Sequence, residues 1–343
     1  MHVTDTGLSS FQRFMISCCL TIIIVAFAAF LSAVPRALPL SASPPGLGQK
    51  LNFPQGTRVV MIHADDAGIS HSVNLAIERA FENHSISSAS IIVPSPWFPE
   101  IAAFAKAHPE YDFGIHLALT SEWQYLRWRG DSPWDRIQSL LDQQGFLWAS
   151  SESVAMHVRP EEARAELRAQ IERALSFNVP ITHLDTHMLA LLSTPELAKI
   201  YIDLSHEYHF PILIWRLGPG ERAAKWLKPL MDAAPTSFVN PFMIQREFPG
   251  PRGSIDDFPD RYKEAILNGK PDEVTELIVH PGIEGDELNA AIGDGSYGSS
   301  WRAADYRAIT SSEMHTFLRQ NNVKLVTWKQ LAAANLTQGT PSE

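Results

Sequence analysis

Residues 59–68 read VVMIHADDAG, an apolar run followed by two adjacent carboxylates. Four apolar residues in a row predict a buried strand, and Ala67 and Gly68 are expected to end it. Adjacent side chains of a strand point to opposite faces, so Asp65 and Asp66 can serve one site only where the strand has ended. One carboxylate could then bind a metal ion while its neighbour accepts a proton. The alternative is an exposed turn, or a cap for the helix that follows.

Short apolar runs alternate with helical patterns along the rest of the chain. Strand followed by helix, repeated seven or eight times, predicts parallel strands that are joined by helical crossovers. We therefore expect an α/β fold, a distorted (β/α) barrel of about seven parallel strands with loop insertions. The predicted strands cover residues 59–62, 89–93, 112–119, 181–186, 211–215, 276–280 and 324–327, with another near 237–239.

Composition excludes several classes of protein. Hydrophobic residues make up 45% of the 343-residue chain, which is enough for a sizeable core. The net charge of −10 argues against a nucleic-acid partner, because binding to phosphates needs a basic surface. Both cysteines, Cys18 and Cys19, lie in an apolar segment near the amino terminus. The remainder of the chain therefore offers no disulfide, thiol nucleophile or cysteine metal ligand.

That apolar segment, residues 14–34, precedes a Pro- and Ser-rich stretch. It is long enough to span a bilayer of about 20 residues, and it also fits a long signal peptide. We expect residues 1–50 to hold a signal peptide or membrane anchor with its linker, residues 51–335 to form the catalytic barrel, and residues 336–343 to be a polar tail. The protein is then expected to be exported to a periplasmic or other extracytoplasmic location, either cleaved or anchored.

Polar residues collect where the predicted strands end, and α/β barrels carry their chemistry there. His116 lies in DFGIHLALT, and His280 ends a strand in LIVHPG. Each of these two histidines could instead be structural. The motif ITHLDTHM places His183, Asp185 and His187 two residues apart, on one face of a regular strand. Three such groups are costly to bury without a metal ion or hydrogen-bond partners, which favours a functional interpretation.

Other candidates stand further along the chain. Arg216, after PILIW, could orient a carboxylate through a charge-assisted pair, or it could simply be solvated. Aromatic residues are frequent in two long loops, residues 122–153 and 282–304. Their rings could stack on sugars or pack the loops onto the barrel. Trp301 and Tyr297 are the candidates for contact with a substrate.

Four motifs, in the order HADDAG, GIHLALT, THLDTH and VHPG, resemble those of the YdjC/ChbG-type carbohydrate deacetylases. The resemblance runs over most of the chain that follows the apolar segment. It implies a distorted (β/α) barrel that removes acetyl groups from N-acetylated sugars with the help of one divalent metal ion, magnesium or zinc. It implies Asp66, His116 and His187 as metal ligands and Asp65 as the catalytic base. His280 falls where a general acid is expected.

The expected reaction is the hydrolysis of a linear amide bond. Asp65 takes a proton from the attacking water, and His280 hands one to the departing amine. Asp185 is expected to hold a ligand histidine in the tautomer that binds the metal ion. His183 is expected to have a similar supporting role or to face the substrate. The expected substrate is an N-acetylated oligosaccharide, glycan or glycolipid. Two alternatives stay open. A metallophosphoesterase-like hydrolase would have a second metal ion and more ligands, and a glycan-binding barrel would lack catalysis.

Overall fold

A computed structural model describes most of the predicted barrel. The described residues are 50–212, 214, 226–227, 229–230, 244–247, 254–269 and 274–336, all in the second of two compact units, Gly46–Glu343. The predicted signal peptide or anchor, Arg216, the strand near 237–239 and all but the first residue of the predicted tail lie outside the described residues. Along the described part of the chain, no helix is both long and apolar enough to cross a membrane.

Seven parallel strands form one sheet in the described part of the chain. They are β1 Arg58–Ala67, β2 Ser88–Ile91, β3 Phe113–Leu117, β4 Ile181–Thr186, β5 Ile244–Glu247, β6 Val274–Val279 and β7 Val323–Leu325. Their order is β4-β3-β2-β1-β6-β5, and β7 pairs with the start of β1. The parallel order confirms the predicted α/β fold.

Helices occupy most of the connections between strands. They are α1 His71–Glu82, α2 Phe98–Ala107, α3 Ser151–His157, α4 Pro160–Ser176, α5 Pro195–Tyr208, α6 Phe258–Asn268, α7 Asp286–Ile292, α8 Ser299–Thr310, α9 Ser312–Gln320 and α10 Trp328–Leu336. Short 3₁₀ helices cover Trp134–Arg136, Gln138–Leu140, His187–Leu192 and Ile255–Asp257. Helices that follow parallel strands cover the faces of the sheet, and strands β1, β2, β3, β4 and β6 are buried along almost their whole length.

The central strand β1 pairs with three other strands. β6 pairs with residues 59–64 along one edge of β1. Along the other edge, β7 pairs with residues 58–60 and β2 pairs further on, from His63 to Ala67. Every residue of β1 after Arg58 is buried. This explains the apolar run at its start, and it means that polar side chains on its second half are held inside the protein.

The strand predictions were accurate where apolar runs were bounded by turn residues. β4 has the predicted bounds, and β6 is shifted by two residues at its start and one at its end. β5 was missed, because its sequence IQRE has no apolar run. Of the strand predicted at residues 211–215, Ile212 forms a single parallel bridge with Leu184.

The insertion after β3 is fixed to helix α4 by two buried glutamates. The Glu166 carboxylate accepts the backbone N–H groups of Asp131 and Ser132, both at 2.8 Å. The Glu162 carboxylate accepts the backbone N–H of Ser139 at 2.7 Å. Buried carboxylates with backbone partners of this kind hold a loop in one conformation. The insertion is therefore a fixed wall beside the carboxyl ends of β3 and β4.

Candidate metal centre

The two adjacent carboxylates of β1 reach one site because the strand carries a bulge. Its pairing with β2 advances three residues, from Ala64 to Ala67, while β2 advances two. Asp66 takes a left-handed backbone conformation with φ +69°, which few residues other than glycine adopt. An extra residue in a bulge re-aims the side chains around it. The strand therefore continues through the acidic pair to Ala67. The bulge, and not the predicted end of the strand, turns both carboxylates toward one site.

Asp66, His116 and His187 converge in a buried pocket. One donor atom from each lies within 4.8 Å of the other two. Asp66 Oδ1 is 3.5 Å from His116 Nε2 and 3.3 Å from His187 Nδ1. His116 comes from β3, whereas His187 begins the 3₁₀ turn after β4, in which Met188 and Leu189 have positive φ. The turn brings His187 back over the strand ends.

In both imidazoles, the ring nitrogen that points away from Asp66 forms a hydrogen bond with a carboxylate. His116 Nδ1 is 2.6 Å from Asp185 Oδ1, and His187 Nε2 is 3.0 Å from Glu122 Oε2. An N–H given to a carboxylate leaves the other ring nitrogen as a lone-pair donor, and both of those nitrogens face Asp66 Oδ1. That oxygen is buried and has no hydrogen-bond partner among the described residues. Three inward-facing acceptors around one point fit a bound cation.

The protonation of the pocket follows from its charges. Burial lowers the pKa of His187, but the charges of Glu122 and Asp66 and the hydrogen bond to Glu122 raise it to about 10. Burial also lowers the pKa of His116, and the charges of Asp185 and Asp65 raise it above its usual value. A metal ion must displace protons from such nitrogens. The pocket therefore stabilises positive charge, as protons on the histidines or as a metal ion.

The carboxyl of Asp66 is kept ionised by a buried arginine. Burial raises the pKa of Asp66, but Arg302 and His187 hold it well below its usual value. Arg302 Nη2 donates to Asp66 Oδ2 at 2.6 Å, and its Nε donates to the Tyr297 carbonyl at 2.8 Å. The bonded Oδ2 leaves Oδ1 as the oxygen that faces the two imidazoles.

Asp65 lies beside this cluster, between two histidines that are not in it. Its Oδ1 is 3.2 Å from His63 Nε2, and its Oδ2 is 3.7 Å from His280 Nε2 and 3.8 Å from His116 Nε2. Burial raises the pKa of Asp65, and the charges of His116 and His63 lower it below its usual value. An ionised carboxylate next to the pocket can accept a proton there.

His280 follows the last residue of β6. Its backbone N–H donates to Asp305 Oδ2 at 2.7 Å, and its ring lies 5.1 Å from that of Tyr297. Burial lowers the pKa of His280 to about 4, against the opposing charges of Asp66 and Asp65. The side chain therefore rests as a neutral imidazole at neutral pH. It must gain a proton before it can act as the predicted general acid.

The remaining candidates lie in different places. Asp185 holds His116, as expected, but His183 lies deeper, with Nδ1 2.8 Å from Thr182 Oγ1 and its ring stacked on Trp328 at 5.0 Å. The predicted common face of the three ITHLDTHM residues is thus divided, because His187 has left the strand. Trp301 is only 8% exposed and packs against Phe258 and Tyr297. Its contact with a substrate stays a prediction.

A second group of three possible ligands, His63, His183 and Asp185, also lies within 4.8 Å. Its geometry favours packing. A Cβ built on Gly114 would lie 2.3 Å from His183 Nε2, so that ring edge is pressed against the backbone of β3. The glycine leaves room for the imidazole but little for an ion and its ligands.

Three residues of the site were not predicted from the sequence. His63 stands two residues before Asp65, and this spacing of two was the one signal that could have included it. Glu122 comes from the insertion and Arg302 from α8, where no strand pattern marks them. They are brought to the site by packing between distant parts of the chain.

Comparison with known proteins gives the family. The profile of the family described as YdjC-like protein matches residues 59–320. A carbohydrate deacetylase of Brevibacillus brevis is 26% identical over 273 residues, which cover 79% of this chain and 99% of that protein. A carbohydrate deacetylase of Thermus thermophilus is 36% identical over 159 residues, 46% of this chain and 54% of that protein.

One solved structure has a similar fold. It is a protein of Enterococcus faecalis V583 with the provisional name cellobiose-phosphate cleavage protein, and the TM-score is 0.65 at 21% identity. The match covers 80% of this chain and 99% of that one. At this identity the likeness shows a shared fold.

Proposed function

The chain belongs to the YdjC-like protein family, and we propose that it is a metal-dependent carbohydrate deacetylase, a hydrolase that removes acetyl groups from an N-acetylated sugar. One observation carries the proposal: Asp66, His116 and His187 each turn one possible ligand atom toward one point, with the carboxylate of Asp65 beside it. The relatives named carbohydrate deacetylase support the substrate class.

The donor set fits a divalent cation held by Asp66 Oδ1, His116 Nε2 and His187 Nδ1. Such a cation would polarise the acetamide carbonyl and lower the pKa of water. Two imidazole nitrogens and one carboxylate suit zinc better than magnesium, which prefers oxygen ligands. Asp185 and Glu122 set the tautomers of the two histidines, so the site is organised for metal binding beyond its three ligands.

The proton transfers can be carried by this chain's own residues. Asp65 accepts the proton that the attacking water loses. The neutral His280 lies 3.7 Å from Asp65 Oδ2, so both groups border the same point and can share that proton. The amine that leaves the acetyl group needs one proton, and the water supplies it. The products are acetate and a free amino sugar.

The metallophosphoesterase alternative requires a second metal ion. Two other ligand-like groups lie among the described residues. One places His183 against Gly114 and on Trp328, which does not favour a second ion. The other, Asp65, His116 and Asp185, shares His116 with the candidate centre and so is not an independent set of ligands. The glycan-binding alternative gives no role to an ionised carboxylate beside the candidate metal site.

The test is acetate release by the full chain. The protein is stripped with a chelator, reloaded with zinc or magnesium, and incubated with N-acetylated monosaccharides, oligosaccharides and lipid-linked sugars. We expect acetate release that chelation abolishes and reloading restores, with zinc more effective than magnesium. A reloaded protein that releases no acetate from any of these sugars, but releases phosphate from sugar phosphates, would support the alternative hydrolase.

We also propose that the protein is exported. Support comes from the apolar run at residues 14–34 and the Pro- and Ser-rich stretch after it. Immunodetection in cell fractions tests this, and a variant without residues 1–50 is the control. Equal amounts of both forms in the cytosolic fraction would contradict export.

A further inference from the structure

His63 is a fully buried histidine of β1 that the proposed mechanism does not use. Its Nε2 lies 3.2 Å from Asp65 Oδ1 and 3.1 Å from Asp185 Oδ2. Its Nδ1 lies 3.0 Å from Ser88 Oγ. One imidazole thus stands between two carboxylates that have different tasks.

We propose that His63 is a positioning residue that fixes the catalytic base Asp65 and joins it, through Asp185, to the metal ligand His116. This inference rests on the proposed function and concerns the same site. The contacts form one continuous chain inside the protein. It runs from Asp65 to His63, from His63 to Asp185, and from Asp185 Oδ1 to His116 Nδ1 at 2.6 Å.

The first effect of His63 is on the direction of the base. A carboxylate has two oxygens that could face the reacting water. Oδ1 of Asp65 faces the imidazole of His63 at 3.2 Å, an ion-pair contact. The other oxygen, Oδ2, lies toward His116 and His280, at 3.8 Å and 3.7 Å. Holding a reacting group in one orientation is worth large factors in rate, and a displacement of about 1 Å can cost about 10²-fold.

The second effect is on charge. Asp65 and Asp185 are both buried and close enough to repel each other, and buried carboxylates need a partner. Burial lowers the pKa of His63, but the hydrogen bond to Asp185 and the negative charge of Asp65 raise it to about 10. His63 is therefore an imidazolium at neutral pH, and its second N–H can be donated to Ser88 Oγ. Its positive charge offsets part of the negative charge of the two carboxylates.

The neighbouring imidazole of His183 provides a matched comparison. It is as buried as His63, and the two rings are 5.1 Å apart. Within the described structure its hydrogen bond goes to Thr182, not to Asp65 or Asp185. Burial and the charge of His63 lower its pKa well below the usual value, so it is neutral. A change at His183 therefore disturbs the packing beside His63 without removing the contacts between His63 and the two carboxylates.

The experiment uses the full-length, metal-loaded protein and three variants, His63→Leu, His63→Gln and the control His183→Gln. Metal content, kcat and KM for acetate release are measured for each. We expect His63→Leu to keep one metal ion per chain and a KM near that of the wild type, while kcat falls about 10²-fold. His63→Gln retains a donor for the carboxylates and should recover part of the loss. His183→Gln should keep kcat near the wild-type value.

Several results would overturn the inference. A folded, metal-loaded His63→Leu with wild-type kcat would show that the base needs no such support. Loss of the metal ion in His63→Gln, or a second ion per wild-type chain that His63→Gln removes, would make His63 a ligand instead. If His63→Leu does not fold, Ser88→Ala gives the milder test, because it removes only the Nδ1 partner and should lower kcat without a change in KM. A wild-type protein that releases no acetate would refute the proposed function itself.

Discussion

His183 and His187 are four residues apart and both buried, but they lie in different surroundings. His187 gives one nitrogen to Glu122 and turns the other toward Asp66 Oδ1. His183 gives one nitrogen to Thr182, lies flat on Trp328, and presses its other nitrogen against the backbone of β3. Burial is common to both residues, so it cannot mark a metal ligand. The direction of the remaining lone pair distinguishes them.

The same contrast separates two layers of the barrel. At the carboxyl ends of the strands, charged groups face one another across a pocket. One layer below, polar groups are paired or packed, and the aromatic ring of Trp328 fills the space beside His183. A bulge in β1 and a turn after β4 move Asp66 and His187 into the upper layer. Small local departures from regular strands thus decide which residues can bind a cation.

The largest effect is expected from His187→Ala, with His183→Ala as its partner. His187→Ala removes a ligand, so the chain should lose the metal ion and at least about 10³-fold in acetate release. His183→Ala should keep the metal ion and lose about 2–5 kcal/mol of unfolding free energy, because removal of a buried ring leaves a cavity. Elemental analysis and urea unfolding of both variants check this. If both variants lost the metal ion to the same extent, His183 and His187 would not differ in their role in metal binding.

Asp65→Asn tests the division of work between the two adjacent carboxylates. The amide cannot accept the proton of the water, so kcat should fall about 10²–10⁴-fold. The metal content should stay near one ion per chain, because Asp66 supplies the ligand oxygen. Turnover at the wild-type rate would show that another group is the base.

The pH dependence of metal binding reports the upper layer alone. Because the pKa of His187 is raised to about 10 and that of His116 is also raised, protons occupy the ligand nitrogens of the metal-free protein at neutral pH. Zinc affinity should therefore increase with pH, by about tenfold per pH unit for each proton that is displaced. Competition with a chelator between pH 6 and pH 9 measures this. A constant affinity over that range would mean that both nitrogens are already free of protons.

The smallest effect is expected from Gly114→Ala, in the lower layer. Its new methyl group would lie 2.3 Å from His183 Nε2, so the ring must shift against Trp328. Overpacking of this kind costs about 1–3 kcal/mol. Denaturant unfolding measures the change, and zinc content should remain that of the wild type. A variant as stable as the wild type would show that the His183 ring is free to move.

Much of the upper layer could be predicted from the sequence, because its residues follow apolar strands and recur in four ordered motifs. The bounds of β4 and the convergence of Asp66, His116 and His187 are examples. The contribution of His63 could not, since its own strand looked like ordinary core up to the acidic pair. Glu122 and Arg302 come from segments more than 60 residues away from at least one partner, so only the folded chain shows them. The different fate of His183 depends on Trp328, which the sequence places 145 residues later.

Anomalous X-ray diffraction from crystals of the zinc-loaded protein locates the bound cation. We expect one anomalous peak at about 2.0–2.2 Å from Asp66 Oδ1, His116 Nε2 and His187 Nδ1 together. A peak between His63, His183 and Asp185 instead, or zinc bound only at the protein surface, would contradict it.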